Sequence, residues 1–149
     1  MSKFEQLCKV YAAARKQSIE YKHSCQDFAD FLVHRMSLYF ECPIETGEMH
    51  VDDDGYLFFE IAITLYENPQ EPNNYAQEKV SFSLSIRKKR DAFLVSVYPY
   101  GNNFTIPRDD LNKLDEIYEF IDNTITEIYE EKLKLWLGEE ASIDLEIPF

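Results

Sequence analysis

Residues 109–137 read DDLNKLDEIYEFIDNTITEIYEEKLKLWL, a stretch whose apolar residues recur at alternating steps of three and four. At about 100° per residue this spacing places them on one face of an α-helix. That face is formed by Leu111, Leu114, Tyr118, Ile121, Ile125 and Ile128. The pattern predicts one long helix over about 108–137, with this face buried and Gly138 as its C-terminal cap.

The opposite side of the predicted helix is strongly acidic. It carries Asp109, Glu116, Glu119, Glu127 and Glu130, and Glu131 follows directly. At about 1.5 Å per residue the helix would be roughly 44 Å long, so these carboxylates would form an extended ridge. We interpret the ridge as a candidate binding surface for a positively charged partner.

Phe120 places an aromatic ring on this acidic side. Two interpretations are open for it. The ring either contacts a neighbouring helix of the same protein, or it serves as an aromatic anchor for a partner, surrounded by charged residues. In the second case Phe120 belongs to the same candidate surface as the carboxylates.

The apolar face of the predicted helix also has two interpretations. It packs on the protein's own sheet, or it forms a coiled-coil seam that joins two copies in a homodimer. Lys132 lies where such a seam needs its next apolar residue. This position favours packing on the sheet.

Composition predicts a single domain with an acidic C-terminal part. The chain has 149 residues, of which 45% are hydrophobic and 15% aromatic, which is enough for a sizeable core. The formal net charge is −13, and residues 109–149 hold thirteen acidic and three basic residues. Direct binding of nucleic acid to such a surface is not expected, and a basic protein is the expected partner.

Cys8, Cys25 and Cys42 are odd in number and lack CxxC spacing, so a disulfide framework is not indicated. The sequence also shows no signal peptide and no apolar run long enough for a membrane span. We therefore expect a cytoplasmic protein without membrane contact.

The first 41 residues are predicted to form two helices. Apolar residues at helical spacing define a helix over about 3–22. Ser24 has the position of a capping residue for a second helix over about 24–41, and Pro43 follows its end.

The spacing of apolar residues then changes to two, which is typical of strands. Alternation predicts four strands, at about 46–51, 56–66, 79–87 and 92–98. The tail at 142–147 alternates in the same way and adds an edge strand to this sheet or pairs with a partner's sheet. The predicted fold is α+β: an antiparallel meander of three to five strands with two N-terminal helices and one long acidic C-terminal helix.

Asp52, Asp53 and Asp54 form a second acidic group, in a predicted hairpin turn. Two of these residues match liganding positions of a calcium-binding EF-hand loop, but the first and last positions of that loop would be His50 and Ile61. Calcium needs carboxylates there, and a helix and not a strand should follow. The group is interpreted as a turn that could add to the acidic binding surface.

Sequence motifs give no support for catalysis. The three histidines lie outside every zinc or deaminase pattern, and no GxSxG, Walker or GxGxxG motif is present. We therefore expect neither an enzyme nor a protein that holds a metal or other cofactor.

Charge and size favour a stoichiometric inhibitor that occupies the basic, nucleic-acid-binding surface of a partner such as a nuclease. Immunity proteins, anti-restriction and anti-CRISPR proteins and DNA mimics work in this way, and the comparison is one of kind only. A duplex presents a phosphate about every 3.4 Å along each strand, whereas one helix face gives about one carboxylate per 5.4 Å turn. Charge complementarity is therefore favoured over strict DNA mimicry. The alternatives are a dimeric secretion-type chaperone and a non-catalytic structural subunit kept in solution by its charge.

Overall fold

A computed structural model describes residues 1–138 as two helices and an antiparallel sheet. In chain order the elements are α1 (Lys3–Phe40), β1 (Glu45–Thr46), β2 (His50–Val51), β3 (Leu57–Tyr66), β4 (Gln77–Lys89), β5 (Ala92–Tyr98), β6 (Asn102–Pro107), a short 3-10 turn (Leu111–Lys113) and α2 (Leu114–Leu137). The strand order is β1-β3-β4-β5-β6, and β2 also pairs with β3. The predicted α+β fold with an antiparallel sheet and a C-terminal helix is confirmed.

One N-terminal helix replaces the two that were predicted. No glycine or proline occurs between Lys3 and Phe40, so nothing in the sequence forces a break in α1. Ser24 caps no helix, and its hydroxyl accepts a hydrogen bond from Lys88 Nζ at 3.2 Å. The helix ends where Glu41 adopts a left-handed conformation with φ of 53°, shortly before Pro43.

The predicted strand at 46–51 forms as two short pieces, β1 and β2. Both pair antiparallel with β3, but the segment between them leaves the regular ladder. Gly47 still donates its N–H to the carbonyl of Glu60 at 2.8 Å, which keeps the segment beside the sheet. The predicted hairpin across residues 52–55 is confirmed.

A sixth strand, β6, was not predicted. Pro99 and Gly101 follow β5 and form the turn that leads into β6. The predicted start of the last helix at 108 is consequently wrong. Pro107 ends β6, Arg108 donates its N–H to the carbonyl of Asp91 at 2.8 Å, and α2 begins only at Leu114.

Both helices pack on the same face of the sheet. That face consists of alternate strand residues, among them the buried Leu57, Phe59, Ile61, Ile63, Phe82, Leu84, Ile86, Phe93, Val95 and Val97. On α2 the buried residues are Leu114, Ile117, Tyr118, Ile121 and Thr124, so this side of the helix packs on its own chain. The predicted face is buried only in part, because Leu111, Ile125 and Ile128 are half-buried.

Tyr118 joins the two helices. It is fully buried, and its hydroxyl donates a hydrogen bond of 2.6 Å to the carbonyl of Leu32 in α1. Burial raises the pKa of the phenol, so the hydroxyl stays protonated and remains a donor. Arg35 adds a two-pronged ion pair to Asp115, with N–O distances of 3.1 and 3.2 Å.

The predicted strand at 142–147 lies outside the described residues. Within residues 1–138, neither helix is long and apolar enough to cross a membrane.

Replacing Tyr118 with phenylalanine tests the contact between the helices. Tyr118→Phe should lower the free energy of unfolding by about 1–2 kcal/mol, because the buried carbonyl of Leu32 loses a donor while the ring still fills its site. Urea denaturation measures this change. The exposed Tyr98 provides the control, and Tyr98→Phe should stay within about 0.5 kcal/mol of wild type. Equal stability of both variants would show that the Tyr118 hydroxyl contributes nothing to the packing of α1 on α2.

Candidate functional site

The side of α2 opposite the core carries exposed carboxylates. Glu116, Glu119 and Glu127 are exposed, and we call these three residues the acidic face. At about 100° per residue they fall within about 80° of arc, and at about 1.5 Å per residue they span roughly 16 Å. Glu130 continues the same side but is half-buried.

Within residues 1–138 the acidic face is not neutralised by the protein's own basic residues. The four ion pairs in this part of the chain involve Asp115, Glu45, Glu78 and Glu131, and none involves the acidic face. Glu131 lies 3.7 Å from Lys134, so its charge is partly compensated. The acidic face therefore presents uncompensated negative charge to solvent.

Tyr39 of α1 lies in the negative field beside α2. Partial desolvation raises the pKa of its phenol, and the carboxylates of Glu119, Asp122 and Asp115 raise it further. The carboxylates of α2 thus act together on the pKa of a side chain in the neighbouring helix.

The predicted acidic residues outside α2 do not join this face. Asp109 is exposed but precedes the 3-10 turn, and Asp52, Asp53 and Asp54 form the turn between β2 and β3. That turn is at the β3 side of the sheet, whereas α2 follows β6 at the other edge. The Asp52 carboxylate also accepts hydrogen bonds of 2.9 Å from the backbone N–H groups of Asp54 and Tyr56, so it stabilises the turn.

Phe120 is half-buried against its own chain. Its ring centroid lies 5.8 Å from that of Phe104 in β6 and 6.1 Å from that of Tyr100 in the preceding turn. The contact is made with a strand and a turn, whereas the sequence suggested a neighbouring helix. This placement favours a structural role for Phe120 over the role of a partner anchor.

The first half of α1 is a surface feature that sequence analysis did not identify. Residues 3–20, which we call the arm, are all exposed, and they include Phe4 at 73%, Leu7 at 67% and Tyr11 at 65% exposure. Helical spacing predicted this apolar face, but spacing does not reveal whether anything covers it. In the described structure the arm extends beyond the sheet.

Residues 1–138 contain no group of three or more His, Cys, Asp or Glu side chains placed to hold a metal ion. Comparisons with protein-family models, with curated proteins and with solved structures found no match. The candidate site therefore rests on the geometry and charge of α2.

Replacing Phe120 with alanine distinguishes its two interpretations. If the ring is structural, Phe120→Ala should lower the free energy of unfolding by about 1–3 kcal/mol, less than for a fully buried ring, because Phe104 and Tyr100 lose a packing partner. Thermal or urea unfolding measures the change. Leu135 on the same helix is 82% exposed, and Leu135→Ala should change stability by no more than about 0.5 kcal/mol. An unchanged stability of the Phe120 variant would restore the anchor interpretation.

Proposed function

We propose that the protein is a stoichiometric binding protein that uses the acidic face of α2 to occupy a basic surface on another protein. The observation that carries the proposal is the exposure of Glu116, Glu119 and Glu127 without an ion pair in residues 1–138. A face of this kind favours a partner whose surface supplies lysine and arginine.

The packing of α2 supports this role because it fixes the orientation of the acidic face. Leu114, Ile117, Tyr118 and Ile121 hold the opposite side of the helix in the core. A partner therefore meets carboxylates on a preformed helix and need not order that backbone on binding, which lowers the entropy cost of association.

Nucleic-acid-processing enzymes, nucleases included, have basic surfaces of the required kind, so inhibition of such an enzyme is the proposed activity. Three carboxylates over roughly 16 Å are sparser than the phosphates of a duplex strand, which recur about every 3.4 Å. The proposal is therefore charge complementarity to the partner and not reproduction of the whole shape of DNA. It requires no catalytic residue, metal or cofactor in this protein.

The proposed setting is a reducing cytoplasm. Cys8 is exposed, Cys42 is half-buried and Cys25 is buried, and all three are free thiols. Burial raises the pKa of the thiols of Cys25 and Cys42, which keeps them protonated and unreactive.

Reversing the charges of the acidic face tests the proposal. Proteins captured by the immobilised wild type should include a basic protein whose affinity for the Glu116→Lys, Glu119→Lys, Glu127→Lys variant is at least about tenfold lower, because attraction becomes repulsion. Affinity for the wild type should also fall as salt rises from about 0.05 to about 0.3 M. Isothermal titration calorimetry with the purified partner measures both effects.

A matched control reverses three exposed carboxylates away from α2. Glu48→Lys, Glu60→Lys, Glu71→Lys makes the same change in net charge and should leave the affinity within about threefold of wild type. Equal losses in both variants would mean that total charge and not the acidic face determines binding. Full affinity of the α2 variant would contradict the proposal.

A dimeric secretion-type chaperone is a second candidate, favoured by the exposed apolar side chains of the arm. Such a chaperone binds an extended segment of its client through apolar contacts. Its client complex should therefore persist at about 0.5 M salt, where the Debye length is only a few ångströms and surface ion pairs are weak. The salt titration that tests the first proposal thus separates the two candidates.

A further inference from the structure

The arm of α1 has an apolar stripe that nothing in residues 1–138 covers. At about 100° per residue Phe4, Leu7 and Tyr11 fall within about 60° of arc, so they form one stripe along the helix. Further along α1 the same side of the helix carries Cys25 and Leu32, which are buried in the core. The arm thus continues the core-facing side of α1 past the end of the sheet.

The charges beside this stripe are all positive. At about 100° per residue Arg15 and Lys22, the latter just past the arm, lie within about 50° of the centre of the stripe and Lys3 within about 70°, while Glu5 and Glu20 lie on the opposite side of the helix. The face around the stripe therefore fits a surface that is both apolar and acidic. A second arm does not meet this requirement, because two arms packed stripe to stripe would place like charges together.

The arm is rigidly attached where it leaves the domain. The Tyr21 hydroxyl donates to the carbonyl of Gly55 at 2.6 Å and accepts from the N–H of Lys88 at 3.1 Å. Since α1 is continuous from Lys3 to Phe40, the arm cannot fold back onto its own α2. Of residues 1–138 none covers the stripe, which leaves it open to a surface of another molecule.

One flank of α2 carries acidic side chains at one end and apolar side chains at the other, and a surface that covers the stripe needs both. Glu119 and Asp122 are exposed near the start of the helix, and Trp136, 77% exposed, lies near its end beside the half-buried Leu133. At about 100° per residue these four residues share about 100° of arc, and Glu119 lies at the edge of this arc nearest Glu116 and Glu127. The flank is acidic at one end and apolar at the other.

The spacings of the arm and of this flank match in antiparallel orientation. Phe4 and Arg15 are separated by about 16 Å of helix, and so are Leu133 and Asp122. With Phe4 opposite Leu133 in an antiparallel contact, Arg15 lies opposite Asp122, and Lys22 lies about 6 Å along the axis from Glu119, within reach of a lysine side chain. The apolar ends then meet while both bases approach carboxylates. A parallel contact with Phe4 opposite Asp122 would place Arg15 on Leu133.

From these observations we propose that the arm of one copy docks antiparallel on the α2 flank of a second copy, and that the two copies do so reciprocally in a closed dimer. The inference does not rest on the proposed function. Of the acidic face, Glu119 would be covered, while Glu116 and Glu127 would remain available to another partner.

The expected interface is small. A contact strip about 27 Å long and about 10 Å wide on each of four surfaces gives on the order of 1,100 Å² in total, near the lower limit for specific interfaces. Two copies that each carry a net charge of −13 also repel one another. We therefore expect a dissociation constant in the micromolar range or weaker, with dimers evident at the upper end of that concentration range.

Sedimentation velocity of charge-reversed full-length variants tests the dimer. Arg15→Glu with Lys22→Glu should raise the dissociation constant by at least about tenfold, and so should Glu119→Lys with Asp122→Lys. An equimolar mixture of the two double variants should recover heterodimers, because each reversed arm then meets a reversed flank. The control is Lys9→Glu with Lys16→Glu, which alters the net charge equally on the far side of the arm and should dimerise like wild type.

Trp136 is the only tryptophan, and its fluorescence reports which surface the arm covers. Quenching by acrylamide should decrease as dimers form, and this protection should be absent in a Phe4→Ser, Leu7→Ser variant. A protein that stays monomeric at every concentration would overturn the proposal. A dimer that leaves Trp136 quenching unchanged, or whose charge-reversed variants do not recover on mixing, would also overturn it, because its interface lies elsewhere.

Discussion

The packing of α1 on α2 is the constraint on which the rest of the structure depends. Tyr118 and Leu32 meet at a buried hydrogen bond, and Arg35 ties the start of α2 to the same helix through Asp115. Because both helices lie on one face of the sheet, this contact determines which sides of each helix remain exposed. It directs the carboxylates of α2 toward solvent and fixes the line along which α1 leaves the domain. The exposed acidic face of α2 and the direction of the arm are consequences of that arrangement.

Charge is segregated in this molecule by element. The arm carries four basic and two acidic residues, whereas the outward side of α2 is acidic. The formal net charge of the whole chain is −13. The basic residues of the arm do not compensate the carboxylates of α2, since the continuous helix α1 holds them apart. Such a distribution favours encounters in which unlike surfaces of two molecules meet, and it disfavours random association of molecules that repel at long range.

Periodicity correctly predicted those helices and strands in which one spacing of apolar residues continues over many residues. The boundaries of β5 and the alternating core face of β3 were correct, and so was the helical pattern of α2. Errors arose where a residue with a strong local preference serves another purpose. Ser24 suggested a cap for a second helix, but its hydroxyl accepts a hydrogen bond from the side chain of Lys88.

The candidate surface was only partly predictable for a related reason. Glu116, Glu119 and Glu127 lie on one helix, so their spacing alone groups them. The turn at 52–54 lies elsewhere because strand order decides which loops become neighbours, and periodicity carries no information about strand order. The exposure of the arm could not be predicted either. The sequence shows that a helix face is apolar, but it does not show where the sheet beneath that face ends.

The hydroxyl of Tyr21 links the base of the arm mechanically to the sheet. It is bonded at the same time to the turn before β3 and to the last residues of β4. Gly55 has φ of +87° there, and an added Cβ would lie 3.5 Å from this hydroxyl, so the turn fits closely around it. Tilting the arm would therefore require both bonds to break. A force applied at Phe4 would act on β3 and β4 through this phenol first, before it reached the buried residues of α1.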